Sequence, residues 1–224
     1  MIDSWKLEAY LSASWVDISG DVHGSIFADW GIKGNEYFDR MASPGEMKFD
    51  LINTGGEYSP GHASCTAGWQ LNVPILLTLT FDSIDYLYRY YVNSIDVVPG
   101  VYGERIAIVT AMDWLNYAAE LPFRLQNIQL NRTADQLGTT LLGALPIAPL
   151  NTSFDTGETT FLTGFDTVTK NTRALGELNK IVMSELGWCY LTKNTSTDGE
   201  TLVLKNMSGR KGTDSLTSIP VVIY

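Results

Sequence analysis

A chain of 224 residues has room for one large domain or two small ones, and 45% hydrophobic against 18% charged residues can build a real core. A formal net charge of -10 and a pI near 4.6 argue against sequence-independent nucleic-acid binding, in which Lys and Arg neutralise phosphates. Two cysteines, Cys65 and Cys189, lack any CxxC or Cys/His spacing, so separate reduced thiols are expected, with no disulfide framework.

The N-terminus Met1–Lys6 has neither a basic region nor an apolar core, and so does not read as a signal peptide. Trp5–Leu11 alternates like a strand, as does Val22–Trp30, with Ile26 and Ala28 opposite Phe27 and Asp29. In Glu46–Asn53, Met47, Phe49 and Leu51 share one face and Glu46, Lys48 and Asp50 the other. Val73–Phe81 is an apolar β run, Ile84–Ile95 a long aromatic strand, and Arg105–Met112 closes the series. Pro and Gly in the turns suit this reading, which predicts a closed or nearly closed barrel.

Asp113–Glu120 reads as a short helix ending the barrel, and Pro122 as a boundary. Thr133-Ala-Asp-Gln136 fits a capping box ahead of Leu137, Leu141, Leu142 and Leu145, with Pro146 and Pro149 ending that helix. Leu141–Leu150 is too short and too broken by proline to span a bilayer. Residues 149–170 read as an extended connection with a short strand near Thr160–Phe165. A helix capped by Asn171 or Thr172 should follow, with Leu175, Leu178, Ile181, Val182 and Leu186 as its stripe and Gly187 as C-cap. Trp188–Leu191 and Thr201–Lys205 read as a hairpin, with Thr192–Glu200 as its loop. The apolar end Ile219–Tyr224 suits an edge strand covered by a neighbouring subunit, or a shortened version of a longer protein.

A search for chemistry yields little. His23 and His62 have no partners at metal-ligand spacing, and there is no nucleophile elbow, phosphate loop or dinucleotide fingerprint. Asp82/Asp85 and Asp96/Glu104 sit near turns and read as solvated carboxylates. Asp155-Thr-Gly-Glu158 resembles part of a calcium loop without the full ligand spacing. No catalytic residue, cofactor or metal is therefore expected. Tyr86, Tyr88 and Tyr90 fall on one strand face, as core, as a subunit interface, or as a stacking platform for sugars. Trp30, Tyr37, Phe38 and Trp69, in loops, are further candidates for partner contacts.

The ordered series Ser14–Ser19 with Asp21-Val22, Arg40–Asn53, Glu57-Tyr-Ser-Pro60 and Ile106–Leu115 resembles the N-terminal barrel of the hub and tail-tip proteins of long-tailed phages. The helix ending in Glu185-Leu-Gly-Trp-Cys-Tyr190, with its following hairpin, resembles the small α+β domain of the same proteins. The resemblance implies an α+β, mainly β fold: an antiparallel β-barrel hub domain over 1–120, then a small α+β domain over 121–224 with a possible partial second barrel. It also implies a structural virion protein made in the host cytoplasm and placed at the distal end of the tail. There a homotrimeric axial hub would join the tail tube or distal tail ring to the central spike or fibre, with DNA only as passing cargo. Candidate interface residues are Tyr86, Tyr88, Tyr90, Trp30, Trp69, Leu141, Val222 and Tyr224. The chain departs from the family in being short. The alternatives are a carbohydrate- or receptor-binding module using Tyr and Trp, and a tail-tip peptidoglycan hydrolase.

Overall fold

The computed structural model describes residues 2–33, 39–100, 105–124, 126–192, 199–209 and 221–223, the last by backbone alone. Most of the first half is one curled sheet of half-barrel form. Its strands are β1 (Ser4–Leu11), β2 (Ser14–Asp17), β3 (Val22–Asp29), β4 (Glu46–Ile52), β5 (Pro74–Phe81), β6 (Ile84–Val98) and β7 (Ile106–Met112). With the C-terminal strand β13 (Val221–Ile223) they run in the order β13-β3-β4-β7-β6-β5-β1-β2, all neighbours antiparallel. Among the described residues the ladder is open, with β13 and β2 at its edges.

Alternation builds the first core. Leu7, Ala9 and Leu11 of β1, Met47, Phe49 and Leu51 of β4, and Ala107, Val109 and Ala111 of β7 are all buried on the inner face. Register shifts in β3 between His23 and Phe27, and in β6 between Val92 and Ser94, mark bulges, which increase twist and help the sheet curl. The loop after β4 packs under the sheet: the Trp69 indole N–H donates to the Tyr58 carbonyl at 3.2 Å, and the two rings meet edge to face.

The second half has its own buried cluster. Helix α1 (Trp114–Glu120) is capped by Asp113, whose carboxylate accepts from the Leu115 N–H at 3.0 Å. Strand β8 (Gln129–Thr133) leads into α2 (Ala134–Gly143), where the expected capping box between Thr133 and Gln136 is present. Strand β10 (Thr160–Gly164) pairs with β8 as a two-stranded ladder. Strand β9 (Asn151–Phe154) pairs in parallel with β12 (Thr201–Lys205), which pairs antiparallel with β11 (Trp188–Thr192). Helix α3 (Ala174–Ser184) covers this three-stranded sheet with Leu178, Ile181 and Val182. No helix among the described residues is long and apolar enough to cross a membrane.

Several local expectations change. The N-cap of α3 is Arg173, with no side-chain cap. The Ala174 N–H instead donates to the Leu121 carbonyl at 3.2 Å, and the Thr172 hydroxyl accepts from the Thr169 N–H at 2.8 Å. Leu186 leaves the apolar stripe and is 37% exposed, because it takes the left-handed conformation (φ 53°) that ends the helix. Gly187 is therefore not the left-handed cap. It is required by close approach: a Cβ there would lie 2.0 Å from the Lys205 carbonyl oxygen. Strands β2, β8 and β9 were not anticipated.

Candidate functional site

The residues with chemical potential are held by structural tasks. The His62 ring accepts from the Ser64 N–H at 3.2 Å, and His23 lies in β3 opposite Asp50. Asp85 accepts from the Thr80 hydroxyl at 2.8 Å, Asp82 sits in the β5–β6 turn at φ 49°, and Asp96 lies within β6. Glu104 lies outside the described residues. In the stretch that resembles a calcium loop, Asp155 faces Lys205 at 3.7 Å and Glu158 accepts from the Ser208 N–H at 2.8 Å. Among the described residues no three His, Cys, Asp or Glu side chains converge as metal ligands.

The tyrosine stripe faces inward. Tyr88 and Tyr90 are 6% and 1% exposed in the first core, and Tyr86 packs half-buried against it. Trp30 lies on Tyr88 with ring centres 4.2 Å apart. Trp69 is buried against Tyr58, and Leu141 is buried in the second cluster. Val222 pairs with Phe27 through the backbone of β13, so this chain's own β3 is the strand beside the C-terminal segment. Tyr224, Tyr37 and Phe38 lie outside the described residues. Among the described residues the most exposed apolar side chains are elsewhere, on and beside the β8–β10 ladder: Ile128 57%, Leu130 61% and Leu162 79%.

A buried polar arrangement lies where the two clusters meet. Strand β6 serves both: Tyr88 and Tyr90 enter the first core, while Tyr91 packs against the second. Its pairing with β7 ends at Tyr91, so one edge of residues 84–90 is left free of β7. Gly199, at φ 69°, presses on that edge, where a Cβ would come within 2.9 Å of the Leu87 backbone. Next to it Glu200 is 1% exposed, accepting from the Leu150 N–H at 3.0 Å and the Tyr91 hydroxyl at 3.1 Å. Asp113 is 5% exposed, and the Arg89 guanidinium lies 5.3 Å from the Trp15 ring and 5.8 Å from the Tyr91 ring. Burial pushes the Asp113 carboxyl up to about 7, against hydrogen bonds from the backbone of Gly45, Leu115 and Asn116, and Glu200 adds to the rise. Burial also raises Glu200, opposed by the Leu150 N–H, the Tyr91 hydroxyl and the charge of Arg89.

A second stitch crosses the same boundary. Residues 40–42 run beside β11: the Cys189 N–H donates to the Arg40 carbonyl at 2.9 Å, and the Ala42 N–H donates to the Cys189 carbonyl at 2.8 Å. The buried Arg40 guanidinium donates to the Leu186 carbonyl at 2.7 Å. Sequence reasoning missed Arg40, Arg89 and Glu200 as structural residues. Only Asp113, preceding an apolar helical run, carried a readable signal, that of an N-cap.

This architecture has solved counterparts. A 43 kDa tail protein of prophage MuSo2 from Shewanella oneidensis superposes with a TM-score of 0.56 over 90% of this chain and 54% of its own, at 12% identity. A tail protein from Neisseria meningitidis gives 0.57 over 90% and 50%, at 10% identity. This chain has their fold. The c3393 protein of E. coli, a type VI secretion component described as similar to the T4 bacteriophage tail proteins gp27 and gp5, gives 0.57 over 84% and 47%, at 11% identity. The chain thus spans about half the length of these tail-type proteins. No family model and no curated protein matches the sequence.

Proposed function

We propose that this chain is a non-enzymatic structural protein of a phage tail tip, forming an axial, trimeric hub between the tail tube or distal tail ring and the central spike or fibre. The observation that supports this reading is the fold shared over nine-tenths of the chain with two tail proteins, one of them from a prophage. Residues 1–120 would serve as the hub barrel and 121–224 as the small α+β domain. Subunit contacts would come from the half-buried Trp30 and Tyr86 and from the segment of Val222 and Tyr224, together with the exposed Ile128, Leu130 and Leu162 on and beside the β8–β10 ladder. A sugar-stacking module would need free rings, and Tyr88, Tyr90 and Trp69 are enclosed.

Light scattering coupled to size exclusion tests the proposal. The expected mass is near three times 24.7 kDa. A mass of 24.7 kDa at every concentration, both alone and mixed with the tail-tube protein of the same virion, would overturn it.

A further inference from the structure

Asp113 and Glu200 come from different halves of the chain, are both buried, and line one small cavity of about 30 Å³. That volume admits a water molecule and little more. Tyr90 lines the same space, and its hydroxyl is buried without a hydrogen-bond partner among the described residues. We propose that this seam is a proton-operated latch: it closes tightly when the Asp113–Glu200 pair holds a proton and loosens when both carboxylates are charged.

The charges around the pair support the mechanism. From β6, Arg89 is the cation that acts on Glu200, while Tyr88, Tyr90 and Tyr91 are neutral phenols raised by burial. From the end of β3 comes Asp29, already engaged by Lys33 at 2.8 Å. From α1 comes Tyr117, also raised by burial. Of the described residues that act on the pair or line the space, the segment before β4 supplies the Gly45 N–H, β11 the uncharged Leu191 and Thr192, and the turn before β9 the Leu150 N–H, while the buried Arg40 of the segment before β4 is held by the Leu186 carbonyl. Among the described residues that line the space, two buried carboxylates therefore face one cation, and like charges are costly where solvent is largely excluded. A proton shared by the pair removes one negative charge and gives the cavity a donor that Tyr90 or a single water can accept.

The sign follows from linkage. The Asp113 carboxyl sits near 7 when the seam is closed and returns toward 3.8 when it opens to solvent. The proton-linked stabilisation is thus fully present below the ordinary carboxylate range and is lost as pH rises through about 7. Between those limits, opening should increase up to about tenfold per pH unit, then level off.

The test is hydrogen exchange of the β12 amides, corrected for intrinsic rates, from pH 5 to 8. It is paired with carbon-13 titration of the Asp113 carboxyl. Both use a His23→Gln, His62→Gln background, so that imidazole titration cannot contribute. The expected result is an Asp113 midpoint near 7, β12 opening that rises with pH and levels off above 7, and loss of that dependence in Asp113→Asn. Glu200→Gln should lower the Asp113 midpoint, a shift that a purely structural role would not produce. This variant also decides the matter should Asp113→Asn fail to fold. An Asp113 midpoint below 5, a midpoint unmoved by Glu200→Gln, or a pH dependence that survives in Asp113→Asn would each overturn the latch.

Discussion

At Gly187 a methyl group would lie 2.0 Å from the Lys205 carbonyl oxygen, whereas at Gly176, exposed on α3, it would meet nothing within 4 Å. The same substitution should therefore have opposite signs. Gly187→Ala must push β12 away from the end of α3 and is expected to cost about 1–3 kcal/mol. Gly176→Ala removes backbone entropy from the unfolded chain and should stabilise by about 0.5–1 kcal/mol. Urea unfolding with an unchanged slope would register both, and a neutral Gly187→Ala would show that β12 is free to shift. Glu185 offers a second case. It is 4% exposed and accepts from the Glu158 N–H, the Thr159 N–H at 3.3 Å and the Thr159 hydroxyl at 2.8 Å. Glu185→Ala strands those donors and should lower stability by about 2–4 kcal/mol in the same assay, with Glu185→Gln recovering part of the loss. Neither role was visible in the sequence. A glycine after a helix reads first as a left-handed cap, and a glutamate in the last turn reads as solvated, until the facing strand and loop are in place.

Elements whose stability is local were the ones legible in advance. β1, β4 and β7 alternate because one face is core and the other is not, and the residue pattern carries that directly. Helix α2 announces its start with the Thr133–Gln136 capping box, in which the Thr133 side chain accepts from the Gln136 N–H and the Thr133 N–H donates to the Gln136 side chain at 3.3 Å. Thr133→Ala should therefore cost about 1 kcal/mol, measured as a shift of the urea midpoint, while Thr172→Ala leaves the start of α3 intact. The difference is that α3 begins on a tertiary contact. Pro122 bridges to Arg173, the Phe123 N–H donates to the Thr172 carbonyl at 2.9 Å, and the Arg173 guanidinium donates to the Glu120 carbonyl at 2.6 Å. No local motif could report partners some fifty residues away. Strand β9 was missed for a related reason. Its first three residues are exposed, so it has no hydrophobic period, and its identity comes from parallel pairing with β12. Equal destabilisation by Thr133→Ala and Thr172→Ala would contradict the assignment of the α3 start to this tertiary bridge.

At the scale of the molecule, two buried clusters are joined by threads that cross the expected boundary in both directions. The hairpin of the second half sends Gly199 and Glu200 onto β6, and residues 40–42 of the first half lie alongside β11. That second thread places Ala42, 2% exposed, among the side chains of the other cluster. The two cores should consequently unfold together, giving one calorimetric transition whose calorimetric and van't Hoff enthalpies agree. Ala42→Pro tests the thread with little change of side-chain volume. It deletes the N–H that donates to the Cys189 carbonyl at 2.8 Å, and Met41, already paired in extended form, can precede a proline without strain. The orphaned, buried Cys189 carbonyl should cost about 1–3 kcal/mol. More tellingly, the single transition should separate into two, with the second cluster melting first because it has lost the strand beside β11. A variant that shifts downward yet still melts as one unit would place the coupling on the Glu200 side of the seam instead. In that case the Tyr91–Glu200 contact, broken by Tyr91→Phe, is the one whose removal should divide the transition.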